Sequence, residues 1–362
     1  MIEQPEITIK DQLKRLAIKD LVGFQTIFLI GIGHKLNIFD YLFEIAQEKL
    51  DQGVITSVTF TLNDLVKGTG LNSKYLEGWL HMALECGLFE LDPSCEKCFK
   101  TAPFIYQILV DKNNMVNVLD LLATFFSPVL AANDIVRGFK TGEIIDILDL
   151  EPEIVRMGQS NCSYMGAMVD TIFSKYCKEH MRILRKGGLC LEVGVGYGNN
   201  LKYWAKKYKK ARFVCIDIDP NGIKFTKQLV KQNNWEDRVE VVQKTIKDFA
   251  IEYPHKFEVI LLNQVLHEVD PSEKYRISLI DELFSLLKDT GILVVGESIV
   301  PDIYTPKQGF QLYEIMHKWL EVAMQTKMYD EVTFRKFISK TKFKIADLIK
   351  EGRDYAWVLK KP

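Results

Sequence analysis

Glu192, Gly194, Gly196 and Gly198 fall in the run LCLEVGVGYGN at 189–199, where an apolar stretch ends in an acid and three glycines follow at alternate positions. With no Cβ, glycine lets the chain turn sharply and approach a ligand closely, which a nucleotide-like molecule at the carboxyl end of a strand requires. A dinucleotide loop needs G-x-G-x-x-G, with a helix N-terminus aimed at a pyrophosphate. Here the spacing is G-x-G-x-G and position 199 is Asn, so an NAD-dependent oxidoreductase is disfavoured. Asp217, in IDIDP at 216–220, stands about 20 residues beyond the glycines. A carboxylate there can accept hydrogen bonds from both hydroxyls of a ribose. Asp219 is the second choice, since Asp219-Pro220 also suits the start of a helix. Together these residues point to a nucleoside-bearing ligand.

Two further groups carry weaker signals. Cys95-Glu-Lys-Cys98 is a lone C-x-x-C with only Cys86 and His81 near it in sequence. A structural zinc takes four ligands, so an ordinary turn and no metal are expected. Tyr313, Met316, His317 and Trp319 share an expected helix at 309–324. Such a stripe suits core packing, and it also suits the wall of an acceptor pocket, expected at Tyr313, Met316 and His317.

A sheet must hold these side chains. From 187 onward short apolar runs alternate with helical segments, the pattern of β/α units and a parallel sheet. Strands are expected at 189–193, 212–216, 239–242, 257–262 and 291–295. Asn199 or Asn200 should cap the helix after the glycines. Before 291, Asp270 as cap, Pro271 at the first helical position and Glu273 at capping-box spacing start a helix striped by Ile277, Ile280, Leu283, Phe284 and Leu287. Upstream, apolar residues recur at helical spacing over 9–50. The segment 61–91 reads as helix, Gly-containing turn, helix and strand, a winged helix-turn-helix pattern. The division between an N-terminal domain, 1–180, and a C-terminal domain, 181–362, is expected at 178–186.

The chain has 362 residues, with 47 Lys plus Arg against 48 Asp plus Glu. A formal charge of −1 gives no bulk electrostatic reason to bind nucleic acid or an acidic membrane. Seven dispersed cysteines do not resemble a secreted disulfide framework, so a cytoplasmic location is expected. The first residues mix acids and bases before any apolar run, unlike a signal peptide. The apolar stretch 24–32 is roughly half of the ~20 residues needed to cross a bilayer, and it reads as a buried helix.

Glu192 to Gly198, Asp217, the segment 257–270 and the segment 291–301 together resemble the class I S-adenosylmethionine-dependent methyltransferases. VILLNQVLHEVD followed by GILVVGESIVP resembles the O-methyltransferase family of caffeate-type plant enzymes and bacterial tailoring enzymes. LIGIGHKLNIFDYL and the 61–91 segment are similar to that family's winged-helix dimerisation domain. The resemblance implies an α/β chain: a C-terminal Rossmann-like domain with a mostly parallel seven-stranded sheet, behind an N-terminal, mainly α, winged-helix domain. It further implies S-adenosyl-L-methionine as cofactor, S-adenosyl-L-homocysteine as product, a small-molecule acceptor and a homodimer. It puts cofactor contacts at Glu192, Gly194, Gly196, Gly198, Asp217, Ile218, Asp248, Phe249 and Asn263.

His267 falls on the family's catalytic base and Glu297 on the acid that orients it. An imidazole of pKa near 6.5 can take the proton of a phenol-like acceptor as the methyl bond forms, and a carboxylate behind it fixes the tautomer. The chain departs from the pattern in four places, the first being Glu192-Val-Gly-Val-Gly where the family has Asp-Val-Gly-Gly-Gly, which keeps the acid and the glycine spacing. Val269 stands where the family has Trp, Thr245 stands where it has the adenine-side acid, and Met328 aligns with a second acid beside the base. That second acid is expected to be missing. C- or N-methylation on the same fold is the variant reading. A winged-helix ligand-sensing regulator is the reading from another class, and the helix at 73–86 argues against it, with Lys74 as its only Lys or Arg against Glu77 and Glu85.

Overall fold

The computed structural model describes residues 8–48, 56–114, 116–159, 162–253, 257–300, 316, 319, 321, 324, 326–351 and 354–362. The chain divides into two compact units, Met1–Leu130 and Ala131–Pro362. The division expected from sequence lay near 180. Helix Cys162–Tyr176 instead packs within the second unit, against helix Asn199–Lys207.

In the first unit, helices Leu62–Thr69 and Ser73–Glu85 pack with a three-stranded antiparallel sheet of β1 (Thr59–Thr61), β2 (Phe89–Leu91) and β3 (Cys98–Thr101), in the order β1-β3-β2. Thr61 and Asp64 form a capping box that starts the first helix. Trp79 packs edge-on to Phe39 and donates its indole N–H to the Leu29 carbonyl. This is the expected winged pattern. Between β2 and β3 the Cys95 and Cys98 sulfurs are bonded to each other, so the turn is closed by a disulfide rather than being an ordinary one.

Residues Ile9–Lys35 form a 27-residue helical run, long and apolar enough to cross a membrane. Leu29 and Ile30 are buried, but Ile9, Leu13, Leu16, Leu21 and Phe24 are all more than half exposed. The buried helix expected over 24–32 is therefore buried only toward its C-terminal end.

The second unit is built on a seven-stranded sheet of order β6-β5-β4-β7-β8-β10-β9. Its strands are β4 (Leu189–Val193), β5 (Arg212–Asp217), β6 (Val239–Gln243), β7 (Phe257–Asn263), β8 (Leu287–Gly296), β9 (Lys344–Glu351) and β10 (Asp354–Lys360). Strands β4 to β8 pair in parallel, and β10 runs antiparallel between β8 and β9. Both faces are covered, which is why the strands read as apolar runs rather than alternating ones. Cys190, Phe213, Val259 and Val294 join Phe173 and Trp204 on one face, while Leu191, Val214, Ile260 and Leu293 join Ile280, Phe334 and Phe337 on the other. The order reverses around β4, so the carboxyl ends of β4, β5 and β7 open one crevice where such sheets bind ligands.

Two expected caps are corrected. The helix after β7 runs Glu273–Leu286 with Ser272 as its cap, while Asp270 accepts from the Ser272 N–H. The helix after the glycines starts at Asn199 behind Gly198, and the Asn200 side chain turns inward instead of capping.

Candidate active site

The loop after β4 is shaped by backbone that only glycine adopts readily. Gly194, Gly196 and Gly198 have φ of 70°, 48° and 76°. A Cβ on Gly196 would also lie 2.7 Å from Oε1 of Gln159. The loop is tied from three sides. Gly194 and Val195 donate to the Ile216 carbonyl at 2.9 and 3.1 Å. Thr226 Oγ1 donates to the Gly196 carbonyl at 2.8 Å, and the Gly196 N–H donates to Asp217 Oδ2 at 2.6 Å.

Two carboxyls flank this loop. Asp217, at the end of β5, accepts from Gly196 and, at 2.9 Å, from the Asp219 N–H. Burial raises its pKa while those N–H groups oppose the rise. Asp219 itself caps helix Pro220–Gln232, as its placement before proline suggested. Glu192 is buried, and burial pushes its pKa up to about 8, against the lowering pull of the Asn200 amide and with a further push from Asp217. Asn200 Nδ2 donates to Glu192 at 2.9 Å, and Asn263 Nδ2 donates to Asn200 Oδ1 at 3.1 Å. The chain of amides ends at Asn263 Oδ1, which is buried without a hydrogen-bond partner among the described residues. Gly296 makes room for it, since a Cβ there would sit 2.2 Å from that oxygen.

At the neighbouring strand ends lies a buried imidazole. His267 is 1% exposed, Glu297 6% and Glu321 9%. Gln264 turns the chain away from β7 in the left-handed region, at φ 56°, and its N–H donates to the Gly296 carbonyl. This brings the next residues over the end of β8. Glu297 Oε1 accepts the N–H groups of Val265 and Leu266 at 3.2 and 2.8 Å, and its Oε2 lies 2.5 Å from His267 Nδ1. Glu321 Oε2 lies 3.3 Å from His267 Nε2. Burial draws the imidazole pKa down, but the charges of Glu297 and Glu321 and the hydrogen bonds to them outweigh it and hold it well above 6.5. Glu268 keeps an exposed flank. Its carboxyl is crowded first by the surrounding protein, drawn down by His267 and driven up by Glu321 and Glu297, and is pushed up to about 8.

The structure thus brings His267 and Glu297 into contact and adds Glu321, which sequence alignment had replaced with Met328. Met328 is buried and Glu321 holds the place at the second ring nitrogen. Asn200 was also missed as a site residue because its position suggested a helix cap. Ile218 is half exposed beside Asp217. Asp248 is exposed and joins Thr245 in capping helix Ile246–Glu252, while Phe249 is buried in the core and stacks on Tyr253. Met316 is partly buried. Tyr313 and His317 lie outside the described residues. Among those described, His267, Glu268 and Glu321 are a group whose ligand atoms, within 4.8 Å of one another, could hold a metal ion.

Residues 191–293 match the sequence profile described as "Methyltransferase domain". Erythromycin 3''-O-methyltransferase of Saccharopolyspora erythraea is 26% identical over 123 residues, which cover 34% of this chain and 39% of that enzyme. The matched segments span less than two thirds of the curated relatives. Among solved structures, the mitomycin 7-O-methyltransferase aligns over 98% of this chain and 99% of its own, with TM-score 0.67 and 14% identity. Human N-acetylserotonin methyltransferase in complex with S-adenosylmethionine aligns over 99% of both chains, with TM-score 0.64 and 15% identity. At these identities the likeness shows the fold. The expected α/β architecture with a mostly parallel seven-stranded sheet is borne out, and the match to a methyltransferase domain falls on that sheet, where S-adenosylmethionine is the expected cofactor. The residues present also fit that cofactor: a glycine loop whose space a Cβ would fill, and a buried acid and amide oxygen suited to an ammonium group.

Proposed function

We propose that this chain is an S-adenosylmethionine-dependent methyltransferase that acts on a small-molecule acceptor, by O-methylation, with His267 as general base. The observation that carries the reading is the buried His267 imidazole held by a carboxylate at each nitrogen, at the carboxyl edge of the sheet beside the glycine loop.

Asp217 would hold the ribose hydroxyls and Glu192, with Asn263, the ammonium of the methionine part, while Gly194, Gly196 and Gly198 keep the crevice open. The cofactor supplies a sulfonium methyl that an acceptor lone pair attacks in line. Holding the two at near-attack distance contributes about 7 to 11 kcal/mol in well-oriented reactions. Glu297 fixes the Nδ1–H tautomer, leaving the Nε2 lone pair to take the acceptor proton, which then lies between the ring and Glu321. General-base help of this kind is typically worth about 10²- to 10⁴-fold.

The reading includes a homodimer, whose second copy covers the exposed apolar face of Ile9–Lys35, and a cytoplasmic location with no nucleic-acid or membrane partner. C- or N-methylation remains the variant in which His267 only orients the acceptor. Incubation with labelled S-adenosylmethionine and a cell extract, followed by mass identification of the product, tests the assignment. A labelled ether or ester supports it, and no transfer to any small molecule rejects it.

A further inference from the structure

Arg276 is 0% exposed, and a buried guanidinium is costly unless its donors and charge are both answered. Its donors are answered by carbonyl oxygens. Nε donates to Asp270 at 3.0 Å and Nη1 to Lys327 at 2.9 Å. Nη2 donates to Val269 at 2.8 Å and to His267 itself at 3.2 Å. The Lys327 N–H donates to the same His267 carbonyl at 3.0 Å. One side chain therefore pins both the loop that carries His267 and the segment 326–329 that follows Glu321.

Four carbonyl dipoles thus converge on the guanidinium, and they answer its charge as well as its donors.

We propose that Arg276 is a positioning residue for His267: its fork of carbonyl contacts fixes the 267–270 loop against the segment 326–329, and so holds the ring between Glu297 and Glu321. The catalytic part of this inference rests on the base reading above, while the anchoring of the loop does not.

Arg276→Lys keeps the charge and loses the fork, which makes it the direct test in the full chain with S-adenosylhomocysteine bound. Exchange of the Lys327 amide, which donates to the His267 carbonyl, should speed up at least about tenfold, and kcat should fall while the cofactor Kd stays unchanged. Wild-type amide exchange together with wild-type kcat in Arg276→Lys overturns the inference. His267→Ala, assayed in parallel, separates this from the base reading: full turnover there rejects the base alone.

Discussion

Glu321 places a carboxylate oxygen 3.3 Å from His267 Nε2, the ring nitrogen that a proton from the acceptor would have to reach. With Glu297 at Nδ1, the imidazole sits in a clamp of two acids that is nearly closed to water. Each acid favours the protonated ring, and burial opposes them both. The working base is therefore set by a balance in which Glu321 stands on the restraining side.

Removing that charge should release the proton. In Glu321→Gln the acidic limb of the pH–rate profile should move to lower pH by about one unit, in line with the loss of one nearby unit charge. A profile of kcat against pH for both proteins checks this, and a shift to higher pH would mean that Glu321 acts through something other than its charge.

Cofactor binding should depend on space at Gly196 and on charge at Asp217. Gly196→Val puts a branched side chain at φ 48°, against Gln159, and should abolish binding of S-adenosylhomocysteine in calorimetry. Asp217→Ala should weaken it by about 1.5 to 3 kcal/mol, the worth of hydrogen bonds to a charged group. No heat with the wild-type protein would sink the cofactor site.

Glu192 makes binding pH-dependent. Its folded pKa of about 8 lies above its unfolded value, so between roughly pH 4.5 and 8 the folded chain holds a proton that the unfolded chain has lost, and Glu192 subtracts stability as pH rises through that window. An ammonium group binds the ionised acid. The thermal shift produced by S-adenosylhomocysteine should therefore grow from pH 6 to pH 8, and in Glu192→Gln it should be smaller and flat. Melting curves across that range decide it.

The parallel sheet was legible because a strand buried on both faces is an unbroken apolar run; 189–193, 212–216, 239–242, 257–262 and 291–295 all became strands. β9 and β10 were not anticipated. KIADLIKE and DYAWVLK carry charges among their apolar residues, and β9 lies at the sheet's edge. The glycine loop, Asp217, His267 and Glu297 could be located because each ends or follows a strand. Glu321 could not, since it is brought to His267 by tertiary folding and not by spacing. Arg276 was not singled out, because nothing local shows that four carbonyls converge on it.

The N-terminal helical run should join two copies. Ile9, Leu13, Leu16, Leu21 and Phe24 expose more apolar surface than water favours. Light scattering should give twice the chain mass of 41.8 kDa, and Leu13→Glu with Leu16→Glu should shift it toward the monomer. A wild-type monomer that binds lipid vesicles instead would assign this face to a membrane.

His267→Ala tests the base itself. The ring lies beside the glycine loop rather than within it, so S-adenosylhomocysteine affinity should hardly change while turnover falls about 10²- to 10⁴-fold, the usual share of a general base. Glu297→Gln should act in the same direction and cost less. Its Oε1 bonds to Val265 and Leu266 can be kept by an amide oxygen, while the charge that orients the Nδ1–H is lost. The pH dependence gives the sign. Because the folded pKa of His267 is raised, the free ring becomes more abundant as pH rises, so wild-type turnover should climb from pH 6.5 upward. The stability that the paired imidazolium contributes is fully present below about 6.5 and is lost as pH rises through the folded value. If the acceptor were an acidic carbon or an amine with a free lone pair, His267 would do no more than position it. Turnover in His267→Ala would then stay near normal at saturating cofactor, which would reject the base while leaving methyl transfer in place.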